Sequence, residues 1–126
     1  MISLQDYKNS KSINGLVNKL FESKTTTHLY HLKTKSYSVH KALQKFYETI
    51  EDFTDSFVET YQGQYGLLKI DSISSGDVDD IEKYLEDSVK IFTIGRDSIK
   101  DSHLKNIMDE IITLTYQTIY KIKYLN

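Results

Sequence analysis

The sequence predicts an all-α protein, folded as a four-helix bundle with one long crossover between its second and third helices. The chain has no proline and only five glycines, so little in it interrupts a helix. Apolar residues recur at three- and four-residue spacing in four separate stretches, as they do on the buried face of a helix. With 126 residues, we expect one domain spanning residues 1–126.

The four stretches predict helices over residues of about 10–32, 36–62, 77–99 and 102–124. Ser36 and Ser102 precede the second and fourth of these helices as candidate N-caps. The start of the third helix is marked by three acids, Asp77, Asp79 and Asp80. Gly95 is either tolerated inside the third helix or ends it early, and the pattern permits both.

The connections between the helices predict the topology. Short links precede the second and fourth helices and make antiparallel hairpins, whereas residues 63–76, "GQYGLLKIDSISSG", form a long link between the hairpins. The second helix is roughly 40 Å long, and a link of this length reaches roughly 46 Å when extended. It is therefore long enough to run the whole bundle, which makes the predicted topology ferritin-like.

Composition excludes several kinds of function. The chain has no cysteine, so any metal would be bound by nitrogen and oxygen ligands. We find no secretory signal and no apolar stretch long enough to cross a bilayer, and therefore expect a cytoplasmic protein without a membrane partner. A net charge of -2 and a pI near 6.1 argue against nucleic acid as a partner.

The predicted second helix has two distinct faces. Its apolar residues fall within an arc of about 80° and should pack inside the subunit: Leu43, Phe46, Ile50, Phe53 and Phe57. Its polar residues fall within an arc of about 120° on roughly the opposite side: His40, Gln44, Glu48, Glu51, Asp52, Asp55 and Glu59. These polar side chains must therefore face either water or another subunit.

Histidines and carboxylates together suggest a metal site. The inward stripe of the first helix ends in Lys24, Thr27, His28 and His31, so a buried stripe becomes polar. Imidazole and carboxylate ligands suit iron or zinc. The alternative is a solvated polar face with hydrogen-bonded histidines at a helix end, and spacing alone leaves both open. His103, which stands alone, is expected to be a capping or surface residue.

The stretch "THLYHLKTKSYSVHKALQKFYETIEDFTDSFVE" resembles the first helical hairpin of Dps, the DNA-binding protein from starved cells, a ferritin-like family. Its part "HLKTKSYSVHKAL" is also similar to small uncharacterised Dps-like proteins of bacteriophages. The resemblance implies a ferroxidase site in which His28, His40, Asp55 and Glu59 stand at the family's intervals of twelve, fifteen and four residues. By local context His31 is the better counterpart of the family's first-helix histidine, so the resemblance gives either His28 or His31 as the first-helix ligand.

The resemblance also implies an iron-binding homo-oligomer, at least a dimer or a shell of twelve subunits, with zinc as a substitute for iron. The histidines would come from one subunit and the acids from its dimer mate. The chain departs from the family's pattern in having Gln44 where a carboxylate is common, a shorter crossover and no lysine-rich tail. The alternative function is therefore a non-enzymatic oligomeric binding protein of viral origin that keeps the fold.

Overall fold

The computed structural model describes residues 1–71, 73 and 76–126, and this part of the chain forms α-helices and no strand. The predicted all-α class is confirmed. The described residues form five helices rather than four: α1 (Leu4–Ser10), α2 (Ile13–Lys33), α3 (Tyr37–Tyr65), α4 (Ile81–Ser98) and α5 (Ser102–Tyr124). Within the described ranges, none of the helices has the length and apolar character needed to cross a membrane.

The additional helix, α1, precedes the predicted first helix, which corresponds to α2. Lys11 adopts a left-handed conformation with φ of 48°, which ends α1. Ser12 then starts α2, since its side-chain oxygen accepts a hydrogen bond from the amide of Gly15 at 2.9 Å. Only Tyr7 of α1 is buried, so this short helix has no apolar periodicity by which the sequence could predict it.

The helices pack as two hairpins, α2 with α3 and α4 with α5, and α3 also contacts α5 while α2 contacts α4. The Lys33 ammonium, at the end of α2, donates to the carbonyl of Val78, just before α4, at 2.7 Å. The Tyr65 hydroxyl, at the end of α3, donates to Asp101, just before α5, at 2.5 Å. Therefore α3 and α4 begin at the same end of the bundle and run parallel, and their link traverses the bundle's length.

The predicted inward face of α3 is confirmed, and the outward face is exposed at its acids but only partly exposed at His40 and Gln44. Leu43, Phe46, Ile50 and Phe57 have no exposed surface, and Phe53 packs against them while remaining partly exposed. Five acids of the opposite face are exposed: Glu48, Glu51, Asp52, Asp55 and Glu59.

Two predicted helix starts differ from the structure. Ser36 is the N-cap of α3 as predicted, but α4 begins at Ile81 instead of residue 77, with Asp80 as its cap. Asp77 instead pairs with Lys33 of α2. The cap position of α5 is occupied by Asp101, and Ser102 is the first helical residue. Residues 72, 74 and 75 of the predicted link lie outside the described residues.

Gly95 lies inside α4, which continues to Ser98, so the glycine is tolerated. It is buried against α1 and α2. A Cβ at this position would lie 2.7 Å from Cδ1 of Leu16 and 2.9 Å from the hydroxyl of Tyr7. The absence of a side chain therefore allows α4 to pack closely against both helices.

Candidate functional site

Two histidines face each other across the hairpin that joins α2 and α3. The rings of His31 and His40 are stacked, with centroids 3.6 Å apart and planes inclined by 19°. Nδ1 of His31 lies 2.7 Å from the carbonyl oxygen of His40, and Nδ1 of His40 lies 2.9 Å from the carbonyl oxygen of His31. A carbonyl oxygen only accepts hydrogen bonds, so both Nδ1 atoms carry hydrogen and donate.

These reciprocal bonds determine which nitrogen of each imidazole has a lone pair available to bind a metal. With hydrogen on Nδ1, the lone pair is on Nε2, and metal-binding histidines are commonly oriented by such a bond from the other nitrogen. In the described part of the chain, no group forms a hydrogen bond with Nε2 of His31 or His40. His31 is only 6% exposed, while His40 is partly exposed.

His28 lies beside this pair and is exposed. Its ring stacks on Tyr47 with centroids 4.2 Å apart, and it is 6.0 Å from the ring of His31. Tyr47 also contacts His31 edge-on at 5.2 Å, so one tyrosine orients both rings. The structure therefore brings all three predicted histidines together, with His31 rather than His28 in direct contact with His40.

The predicted acids are not near these histidines within one chain. Asp55 and Glu59 are exposed on the same helix as His40, fifteen and nineteen residues further along. At 1.5 Å of rise per residue, they are roughly 22 and 28 Å from it along the helix axis. Over the described ranges, the subunit alone has no group of three or more histidine, aspartate or glutamate side chains positioned to hold a metal.

The acids nearer the middle of α3 have partners within the chain. Glu51 pairs with Lys24 of α2 at 3.1 Å, and Gln44 donates to Glu48 at 3.1 Å. His103 is exposed, as expected for a surface residue, and its Nε2 lies 2.8 Å from the side-chain oxygen of Gln64.

A second cluster of polar side chains lies buried between α2 and α4, and we call it the seam cluster: Lys19, Glu22 and Tyr84. One Glu22 carboxylate oxygen accepts from the Lys19 ammonium and from the Tyr84 hydroxyl, each at 2.7 Å. Its other oxygen accepts from the backbone amide of Ile2 at 2.8 Å. The Lys19 nitrogen also lies over the Tyr84 ring, 4.3 Å from its centroid.

Burial changes the acidity of the seam cluster. It lowers the pKa of Lys19, and the neighbouring Glu22 carboxylate only partly offsets this effect. Burial, followed by the charge of Glu22, raises the pKa of Tyr84 well above its usual range. Lys19 and Glu22 are each only 2% exposed.

Sequence reasoning missed the seam cluster because Lys19 and Glu22 are three residues apart on a helix, as in many exposed ion pairs. One feature of the sequence could have indicated the cluster. Lys19 and Glu22 lie beside the apolar stripe of α2, next to Ser23 and Thr26, which are also buried. Four neighbouring polar residues along this edge indicate that a second helix covers it.

The comparison with known protein families gives one result. Residues 31–122 match the Family of unknown function (DUF5856). The chain belongs to this family. The part that matches DUF5856 includes His31, His40, Asp55 and Glu59, whereas His28 precedes it. Neither the curated proteins nor the solved structures include one that matches the chain.

Proposed function

We propose that the protein is a Dps-like, ferritin-like homo-oligomer that binds ferrous iron between two subunits and oxidises it. His31 and His40, with His28 beside them, would supply nitrogen ligands from one subunit. Asp55 and Glu59 would supply carboxylates from the other. The observation that carries this proposal is the stacked histidine pair, whose reciprocal Nδ1 bonds leave both Nε2 lone pairs available.

The bundle topology supports the proposal. A ferritin-like bundle consists of two helical hairpins joined by a long crossover. Here α2 contacts both α3 and α4, α5 contacts the same two helices, and the link between α3 and α4 runs the bundle's length. The short helix α1 is an addition at one side of this arrangement, since it contacts only α2 and α4.

The positions of the ligands require a specific arrangement of two subunits. Along α3, His40 is roughly 22–28 Å from Asp55 and Glu59. In a two-fold dimer, an antiparallel α3 of the partner would bring its acids next to His40 of the first subunit. When two copies of α3 pack antiparallel about a two-fold axis, each residue of one copy faces a different residue of the other. The residue at the axis is the one half-way along the helix between these two positions. The midpoint between His40 and the Asp55–Glu59 pair is at Glu48, which is exposed on the outward face of α3.

Most charges on that face favour the same axis, where two Lys45–Asp52 pairs would offset one contact between the like-charged Glu48 side chains. Its first half carries two exposed lysines, Lys41 and Lys45, and its second half carries the exposed acids. An antiparallel copy centred near Glu48 would place Lys45 opposite Asp52, because Glu48 also lies near the midpoint of these two residues. Opposite charges across an interface fix its register. Two separate pairings, of ligands and of charges, therefore indicate one axis.

The donor set suits the proposed chemistry. Two imidazoles and two carboxylates form a mixed nitrogen and oxygen site that binds ferrous iron, and zinc would compete for the same ligands. Glu59, one helical turn after Asp55, would bridge or chelate, while Asp55 would ligate or orient a ligand. Iron is the substrate and gives up one electron per ion to peroxide or oxygen.

Iron oxidation tests the proposal directly. Ferrous iron is added aerobically to the native protein and to His40→Ala and Glu59→Ala variants, and ferric absorbance is followed with time. Each variant should be slower by at least about tenfold, because it removes a ligand. Glu110→Ala, which removes an exposed acid of α5, is the matched control and should leave the rate unchanged. Equal rates in all four proteins would refute the ferroxidase function.

The dimer axis has a test of its own. The chain has no cysteine, so a single introduced thiol reports one position. Under mild oxidation, Glu48→Cys should give a disulfide-linked dimer, since two facing residues at the axis come within the roughly 4.4–6.8 Å that a disulfide requires between Cα atoms. Asn106→Cys, exposed on α5, should remain a monomer on the same non-reducing gel. A cross-link at position 106 but not at 48 would place the interface elsewhere.

A second candidate function, non-enzymatic binding of a partner by an oligomer of viral origin, is favoured by the apolar surface beside the histidines. Leu29, Leu32 and Tyr37 are 46%, 69% and 75% exposed at this end of the bundle. Apolar residues grouped at a surface often mark an interaction site. If this function holds, Leu32→Ser should abolish partner binding while iron oxidation is absent in the native protein.

A further inference from the structure

The seam cluster lies beside a cavity. This cavity has a volume of about 260 Å³, is partly open to solvent, and borders all three members of the cluster as well as Asp87. Residues 1–4 form one of its walls, and the Ile2 amide attaches this wall to Glu22. The cavity is separate from the histidines, which lie at the α2–α3 hairpin.

Stability does not account for an ion pair at this position. Replacing a buried ion pair by packed apolar side chains is often neutral or stabilising, because removing two charges from water is costly. Lysine and glutamate are rarely buried to the extent seen here, where each is 2% exposed. Buried titratable groups with a specific charged partner, next to a cavity, are typical of functional sites.

We propose that Lys19 is a nucleophile that forms a Schiff base with a small aldehyde or ketone bound in this cavity. A lysine in a desolvated site is an effective amine nucleophile, because burial disfavours its charged form. Glu22, at 2.7 Å from the Lys19 nitrogen, accepts the proton that must leave the ammonium before attack. The Tyr84 hydroxyl donates its one hydrogen to the same carboxylate at 2.7 Å, and it turns to the carbonyl oxygen of the substrate once Glu22 has taken up the proton.

The reaction is balanced without an oxidant or reductant. The Lys19 nitrogen forms a bond to the carbonyl carbon and gives a carbinolamine. The carbon–oxygen bond then breaks, both hydrogens of the amine end in the released water, and a carbon–nitrogen double bond remains. Glu22 holds the proton that the ammonium lost and returns it to the imine nitrogen, so the carboxylate is regenerated beside a protonated Schiff base.

The volume of the cavity restricts the substrate. It is below the roughly 300–1,000 Å³ of pockets for drug-sized ligands, so the carbonyl compound is small.

Reductive trapping tests this inference on the whole chain. The native protein is incubated at pH 7 with propanal and cyanoborohydride, and the labelling rate of each lysine is measured by peptide mass spectrometry. Lys19 should be labelled at least about tenfold faster than Lys90, an exposed lysine of α4.

Variants separate a chemical role of the cluster from a structural one. Tyr84→Phe keeps the ring and the Lys19–Glu22 pair, and should slow the labelling of Lys19 while that of Lys90 is unchanged. Lys90→Arg is the matched control and should leave the Lys19 rate unchanged. Labelling of Lys19 no faster than that of Lys90 in the native protein would overturn the inference and leave the cluster a structural ion pair.

Discussion

Replacing Gly95 by alanine adds one methyl group where α4 packs against α1 and α2. The new Cβ would lie 2.7 and 2.9 Å from the two terminal carbons of Leu16 and 2.9 Å from the Tyr7 hydroxyl. Leu16 has no exposed surface and Tyr7 is 1% exposed, so neither side chain can move into solvent. The substitution therefore forces a displacement of packed helices.

Two opposing effects set the magnitude. Overpacking a core by one methyl group costs about 1–3 kcal/mol. Alanine is better than glycine inside a helix by about 1 kcal/mol. The steric cost should exceed the gain, and we expect Gly95→Ala to lower the free energy of unfolding by up to about 2 kcal/mol.

Gly63→Ala is the matched control, because Gly63 is also inside a helix but a Cβ there would meet nothing within 4 Å. This variant should gain about 0.5–1 kcal/mol from helix propensity alone. Urea unfolding followed by circular dichroism measures both changes, and at this chain length 1 kcal/mol corresponds to roughly 3–5 °C in Tm. If both variants are stabilised equally, the tight packing around Gly95 does not exist.

Three further predictions follow from the polar side chains. Glu22→Gln should lower the free energy of unfolding by about 3–5 kcal/mol in a urea titration, because Lys19 would be left buried without its counter-ion; an unchanged midpoint would contradict the buried pair. Tyr65→Phe should raise the pKa of Asp101 towards its usual value in an NMR titration, since the Tyr65 hydrogen bond is the main cause that lowers it. Burial raises the pKa of Tyr7 from 10.0 to about 12. The contribution of the neutral Tyr7 side chain to stability should therefore be complete below pH 10 and be lost between about pH 10 and 12. The Tyr7→Phe variant, which has no phenol at this position, should lose less stability over that range.

The fold could be predicted from the sequence wherever long apolar stripes are present. The inward face of α3 has a regular apolar pattern over about four turns, and the structure buries all of it except Phe53, which is partly exposed. The start of α4 was placed too early because Asp77 and Asp80 are equally good caps in the sequence, and only the contact of Asp77 with Lys33 distinguishes them. The sequence does not predict α1, because a seven-residue helix with one buried side chain has no measurable period of apolar residues.

The candidate site could be predicted only in part. Helical spacing correctly placed the acids of α3 on the face opposite the core, and the histidines at the end of α2. It could not choose between His28 and His31, because the contact with His40 depends on how the three-residue link turns. The seam cluster depends on α2 packing against α4. Its residues Glu22 and Tyr84 are 62 positions apart in the sequence, and no local pattern encodes such a contact.

Whether the histidines and acids form one site depends on the charge pattern of α3, which can be tested without iron. In the proposed dimer, Lys45 of each subunit faces Asp52 of the other, so Lys45→Glu should convert dimer to monomer in light scattering by placing like charges together. Exchanging both charges, with Lys45→Glu and Asp52→Lys in one chain, should restore the dimer because each pair is again opposite in sign. Higher ionic strength should weaken the native and exchanged dimers alike, since these charges are exposed. If the double variant stays monomeric while the single variant dimerises, the two helices do not meet in this register, and the histidines of one subunit cannot share a metal with the acids of the other.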